Sequence, residues 1–180
     1  MTSSPRTSWY AYAAFTNWSS NAAAILQLTQ GGSIKLCDFG QSVRVAGGSV
    51  EQIGVGTLAY TAPEVFQRKR TLLILPLAPL TRSSSACTYA TDIYSLGATM
   101  CAALQGQLPS AADSPPVAMI RIMQGRYIQV PRATATGEAV PPKLARLLQT
   151  CIAQDPAQRP SAAAVLADLA RMSSERHVSA

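Results

Sequence analysis

Charge and aromatic residues are scarce in this sequence: 13% of its 180 residues are charged and 6% are aromatic, against 48% apolar. That balance excludes a self-repelling disordered chain and favours one packed core, forming one domain or a large part of one. Long apolar runs are missing too. The greasiest stretch, Thr71 to Leu80, is short and broken by Pro76 and Pro79, which excludes a membrane span there. Histidine occurs once, as His177, and the four cysteines at 37, 87, 101 and 151 make no CxxC pair, so no zinc-type cluster is expected. Cys37, Cys101 and Cys151 lie in apolar stretches, where cysteine serves as a small core residue. Such usage fits a reducing compartment, and an intracellular, cytoplasmic location is expected. Within residues 1–24 the apolar centre is interrupted by Thr16, Asn17, Ser19 and Ser20, unlike a secretory signal. The net charge of +6 is scattered, Arg68-Lys69-Arg70 being the one basic run. Without aromatic and basic residues interleaved, neither nucleic acid nor membrane is expected as a partner.

What is present reads as a hairpin followed by helices. Residues 1–24 show no clear period and are expected to be irregular. Two short apolar runs, Ile25 to Leu28 and Ile34 to Cys37, flank Thr29-Gln30-Gly31-Gly32, a β-hairpin signal whose glycines permit positive φ. Residues 38–64 read as a long ordered loop, a length that usually carries function. Residues 65–91 are basic, then apolar with two prolines, then serine-rich, and read as an inserted loop centred on about 68–87. Ile93 to Leu104 is apolar almost all round, as a buried helix is. Pro115-Pro116 open a helix to about Met123, and Pro141-Pro142 open another with Leu144, Leu147, Leu148, Cys151 and Ile152 on one face. Ser161 is placed to cap a last helix whose apolar face is Ala162, Val165, Leu166 and Leu169.

Four short motifs carry chemistry. Asp38-Phe39-Gly40 follows directly on the second strand, so that a carboxylate at a strand end can ligate Mg²⁺ while the glycine lets the chain turn. Gly56-Thr57-Leu58-Ala59-Tyr60-Thr61-Ala62-Pro63-Glu64 comes next, then Thr91-Asp92-Ile93-Tyr94-Ser95-Leu96-Gly97, then Gln158-Arg159-Pro160. In this order they resemble the DFG motif, the end of the activation segment with its APE motif, the start of the central helix, and the turn before the last helix of a protein kinase of the Ser/Thr type. The resemblance covers residues 25–172. It implies a mainly α fold, a kinase-like C-terminal helical lobe with a short β-hairpin and no N-terminal lobe, between a divergent segment 1–24 and a tail 173–180.

The same resemblance assigns roles. Asp38 is the Mg²⁺ ligand, with Phe39 and Gly40 structural. Glu64 and Arg159 form a buried ion pair that ties the activation segment to the lobe, a guanidinium fork being suited to a carboxylate. Asp92 accepts backbone hydrogen bonds from the catalytic loop. Thr57 marks the Ser/Thr class and orients the substrate hydroxyl and catalytic aspartate. Gly56, Thr57, Leu58, Ala59 and Tyr60 form the pocket for the residue after the phosphoacceptor. Ser42, Ser49 and Thr57 are candidate phosphoacceptors, with an ordinary loop hydroxyl the alternative at Ser42 and Ser49.

The pattern then breaks. The family transfers the γ-phosphoryl of ATP with a Gly-rich loop, a strand lysine, an H-R-D-L-x-x-x-N loop and the DFG aspartate. No GxGxxG and no VAIK-like lysine occurs, and residues 1–37 are too few for an N-terminal lobe. Setting the hairpin in the family register puts Ile25 at the second metal ligand, Ser20 at the general base and Trp18-Ser19 at His-Arg, with Asn21 out of register. The missing base alone is worth roughly 10²–10⁴ in rate. The departures at 1–24 and 68–87 are what an altered reading frame joined to a kinase lobe would produce. The implied function is protein Ser/Thr phosphorylation, with this chain truncated, inactive and weak at best for Mg–ATP. The alternatives are a pseudokinase-like module that docks a peptide, substrate protein or partner kinase through the helix near Val117 to Met123, and a non-functional fragment with exposed apolar surface.

Overall fold

The computed structural model describes residues 25–28, 34–37, 57–66, 88–107 and 113–178. Strands β1 (Ile25–Leu28) and β2 (Ile34–Cys37) pair antiparallel, with Ile25 opposite Cys37 and Leu28 opposite Ile34. The remaining described residues are mainly helical: α1 (Tyr89–Gln105), α2 (Pro115–Met123), α3 (Pro142–Cys151) and α4 (Ala162–Val178), with 3₁₀ turns at Leu58–Tyr60 and Pro156–Gln158. The mainly α lobe with a short hairpin is therefore the observed architecture.

The helix boundaries follow local chemistry. Proline fixes φ and has no N–H to leave unpaired, so Pro115 and Pro142 start α2 and α3 at no hydrogen-bonding cost. The Ser161 hydroxyl accepts from the Ala164 N–H at 3.2 Å and opens α4. At the head of α1, the Thr88 hydroxyl accepts from Ala90 N–H and the Thr91 hydroxyl accepts from Thr88 N–H, both at 3.2 Å. This reciprocal cap starts the helix at Tyr89, earlier than the apolar run beginning at Ile93 indicates. Gly106 closes α1 in the left-handed region at φ 68°, where a glycine carries no Cβ penalty.

Two readings of the sequence need correction. The stretch 65–91 read as an inserted loop is helical where it is described, at 65–66 and from Tyr89, while the insertion at about 68–87 lies outside the described residues. Leu166 is 69% exposed while its neighbour Val165 is 3% exposed, so the buried stripe of α4 is narrower than the apolar pattern suggests. Successive helix residues lie about 100° apart, and α4 meets the lobe along one seam of Val165, Leu169 and Met172.

The core is built on α1. Its buried face presents Tyr94, Ala98, Cys101 and Ala102 towards Phe66, Ile122, Leu148 and Ile152. Ile93 on a neighbouring face joins Leu147, Cys151 and Val165. A fully buried Leu, Ile or Phe contributes roughly 1.5–3 kcal/mol relative to its exposed state. The Cys101 and Cys151 thiols are free and buried; burial, with the Cys151 thiol adding to it, pushes Cys101 up to about 11, so it stays protonated as a packing group.

The α1–α3 contact depends on one missing side chain. A Cβ at Gly97 would stand 2.8 Å from Cys151 Cβ and 2.9 Å from Ile152 Cγ2. Neither is the far end of a flexible chain, so the helices must separate to admit it. Gly97→Ala is expected to destabilise the lobe by about 1–3 kcal/mol, the usual cost of overpacking. Urea unfolding checks this, and an unchanged midpoint would show the two helices packed less closely than described here.

Candidate functional site

The segment 57–66 lies along α1 and is fixed to it by polar contacts. Leu58–Tyr60 make a 3₁₀ turn whose Tyr60 N–H donates to Thr57 O at 3.0 Å, and Thr61 Oγ1 donates back to the same carbonyl at 3.0 Å. Beyond it Ala62, Pro63 and Phe66 are buried, and Glu64 is 8% exposed. Pro63 opens the helical turn 63–66, which aims Glu64 inward.

A carboxylate buried this deeply needs a cation, and Arg159 provides it. The 3₁₀ turn Pro156–Gln158, capped by Asp155 Oδ1 accepting from Ala157 N–H at 2.9 Å, delivers Arg159 to the base of the segment. Its Nη1 and Nη2 donate to Glu64 Oε1 and Oε2, each at 2.8 Å. The remaining donors are also used: Nε to Ala153 O at 2.8 Å, Nη1 to Ala90 O at 2.9 Å and Nη2 to Gln154 O at 3.4 Å. All five guanidinium N–H groups are thus partnered. The Tyr94 ring covers the guanidinium at 5.0 Å, within cation–π range. Burial pushes the Tyr94 hydroxyl up to about 12, with the Arg159 charge partly opposing it, so the ring stays neutral. Thr91 Oγ1 adds a third hydrogen bond to Glu64 Oε1 at 3.0 Å. One guanidinium therefore joins the segment 57–66, the head of α1 and the turn before α4.

Asp92 stands in the first turn of α1 and has no hydrogen-bond or ion-pair partner among the described residues. Desolvation by the surrounding protein raises its carboxyl pKa above the ordinary carboxylate range. Asp38, Phe39, Gly40, Ser42, Ser49 and Gly56 lie outside the described residues, as do Ser20 and Asn21. The structure thus brings Glu64, Arg159, Thr57, Leu58, Ala59 and Tyr60 together around α1, while the segment expected to donate to Asp92 lies outside the described residues. Sequence reasoning missed the Thr88–Thr91 cap, the Thr91 bond to Glu64 and the Tyr94 ring over Arg159. The T-x-x-T spacing at 88–91 was the available signal for the first.

This geometry accompanies a direct match: residues 22–169 fit the protein kinase domain. The chain belongs to the protein kinase family. The kinase-family lobe is 32% identical over 151 residues to the serine/threonine-protein kinase PknL of Mycobacterium tuberculosis, covering 82% of this chain and 33% of PknL. It is 32% identical over 139 residues to the serine/threonine-protein kinase PknK of the same organism, covering 76% of this chain and 11% of PknK. To the cytokinesis protein sepH of Aspergillus terreus it is 31% identical over 138 residues, covering 77% of this chain and 9% of sepH. The chain thus spans about a third of the length of PknL and about a tenth of the other two. Among the described residues no helix of this kinase-family lobe is long and apolar enough to cross a membrane.

Arg159→Ala leaves Glu64 buried without its cation and is expected to cost about 3–5 kcal/mol. Arg159→Lys is expected to recover little of that, because an ammonium cannot reach two carboxylate oxygens and three carbonyls at once. Chemical denaturation of both variants checks this, and a lysine variant as stable as the parent would refute the fork. For Asp92 the sign is opposite to that of a salt-bridged carboxylate. Its folded pKa lies above its unfolded one, so its ionisation penalises the fold once pH rises past the unfolded value, and the penalty is complete above the folded value. Asp92→Asn is expected to raise the melting temperature at pH 7 and to have little effect near pH 3. Thermal melts across that range decide it.

Proposed function

We propose that this chain is the substrate-side part of a protein Ser/Thr kinase lobe that binds protein or peptide but does not itself transfer phosphate. The reading rests on one contrast. The fork of Arg159 on Glu64 anchors the chain just beyond the turn Leu58–Tyr60, which lies along α1. The residues aligned with the general base and the second metal ligand are Ser20 and Ile25, which have neither a basic nor a chelating side chain suited to those tasks.

In this reading Thr57 faces the substrate hydroxyl, and Gly56 to Tyr60 receive the residue that follows it. The family uses Mg–ATP, and Ile25, at the position aligned with the second metal ligand, has no side-chain oxygen to offer a cation. Both Glu64 oxygens are held by Arg159, Asp113 pairs with Arg121 at 2.8 Å, and Asp168 pairs with Arg171. No group of three or more metal-ligating side chains stands together among the described residues. Asp38 remains the one proposed metal ligand.

A second reading, a protein-interaction module, draws on α2. Its Ala118 and Ile122 are buried, whereas Val117 and Ile120 are 41% and 50% exposed on the outer face. Apolar side chains one turn apart on an open helix face suit contact with another protein.

The purified chain with Mg–ATP and a labelled basic serine peptide separates the readings. Peptide binding without thermal stabilisation by Mg–ATP and without phosphate incorporation is the expected result. Saturable stabilisation with phosphate incorporated into the peptide would overturn the inactivity. Binding that is lost on Ile120→Glu but not on Leu58→Glu would favour the interaction module over the substrate turn.

A further inference from the structure

The hydroxyl side chains of α1 fall on one line. Thr91, Ser95 and Thr99 recur every four residues, a spacing that stacks them along one helix face. A serine or threonine inside a helix ordinarily turns its hydroxyl back to the carbonyl four residues earlier. Thr99 does this, donating to Ser95 O at 2.8 Å. Ser95 has the same option, with Thr91 O at 3.2 Å, but its closer acceptor lies across the gap: Oγ stands 2.8 Å from Tyr60 O. Thr91 also reaches outward, to Glu64 Oε1 at 3.0 Å. Two hydroxyls one turn apart therefore grip the segment 57–64 at two points, and the third stays within its own helix.

The two grips differ in what they hold. Thr91 reinforces a carboxylate already forked by Arg159. Ser95 holds the carbonyl at the end of the 3₁₀ turn Leu58–Tyr60, whose other end is tied when Thr61 Oγ1 donates to Thr57 O. We propose that Ser95 is a positioning residue for the substrate turn: its hydroxyl fixes the Tyr60 carbonyl on α1 and thereby sets the path of Thr57 to Tyr60. Resting as it does on the substrate-side reading above, the assignment gives Ser95 no contact with substrate. It acts through the turn, and replacing it loosens the turn and leaves the helical core intact.

Amide hydrogen exchange on the whole chain tests this, with labelled basic serine peptide binding read in parallel. In Ser95→Ala, exchange at Tyr60 and Thr61 is expected to rise about fivefold, as the loss of one ordinary hydrogen bond implies. Exchange in α3 at Leu147 and Leu148 stays unchanged, and Ser95→Thr, which keeps the hydroxyl, restores protection at Tyr60. Thr99→Ala, which removes a bond internal to the helix, leaves Tyr60 and Thr61 as in the parent. Peptide affinity falls with Ser95→Ala and not with Thr99→Ala. The assignment is overturned if Ser95→Ala leaves Tyr60 and Thr61 protected, if it raises exchange equally in α3, or if Thr99→Ala does the same to the turn. A parent chain that binds no peptide defeats the substrate-side reading instead, and the exchange pattern still decides whether Ser95 sets the turn.

Discussion

Arg159 and Glu64 are 95 positions apart in sequence, and the geometry of their contact governs most of what surrounds them. An ionised carboxylate at 8% exposure is costly unless it is paired and hydrogen-bonded. Here it is met by a bidentate fork and a threonine hydroxyl, and the fork is itself satisfied by three backbone carbonyls. Those carbonyls belong to the head of α1 and to the chain between α3 and α4. The pair thus fixes where the segment 57–66 lies relative to two other pieces of chain. A buried ion pair of this kind supports a unique arrangement more clearly than it adds stability, since its desolvation offsets much of its attraction. The exposed pair of Lys143 with Glu175, between α3 and α4, is worth about 0–1 kcal/mol by comparison and organises little.

The fixed segment shows how the position of a turn can be set from within the helical lobe. The turn at Leu58–Tyr60 draws its position from α1 beneath it and from the Glu64 anchor beyond it. Neither support depends on a nucleotide or on a general base. The residues that hold this shape, Glu64, Thr91, Ser95 and Arg159, are all among those described.

Much of this was legible in the sequence where a local rule has one physical cause. Proline at a helix start, serine at a cap and glycines between two apolar runs placed α2, α3, α4 and the hairpin, because each acts on its own few backbone groups. The head of α1 was less legible, since Tyr89-Ala90-Thr91-Asp92 shows no apolar period and the helix begins there through a threonine cap. Leu166 misled for the opposite reason: its type fits a core stripe, but a helix docked along one narrow seam leaves it in solvent. The association of Glu64 with Arg159 could be read only by resemblance, because nothing in composition or spacing links residues so far apart. The outward turn of Ser95 had no sequence signal at all, since Thr99 one turn later has the same chemistry and folds its hydroxyl back.

The most direct measurement of the central claim is a double-mutant cycle on the fork: Glu64→Ala, Arg159→Ala and both together, each unfolded in urea. If the fork organises the lobe, removing the second partner relieves the charge stranded by the first, and the double variant is less destabilised than the sum of the singles by about 0.5–3 kcal/mol. Single effects that add to within about 0.3–0.5 kcal/mol would mean the two side chains act independently, and the account built on their contact would be contradicted.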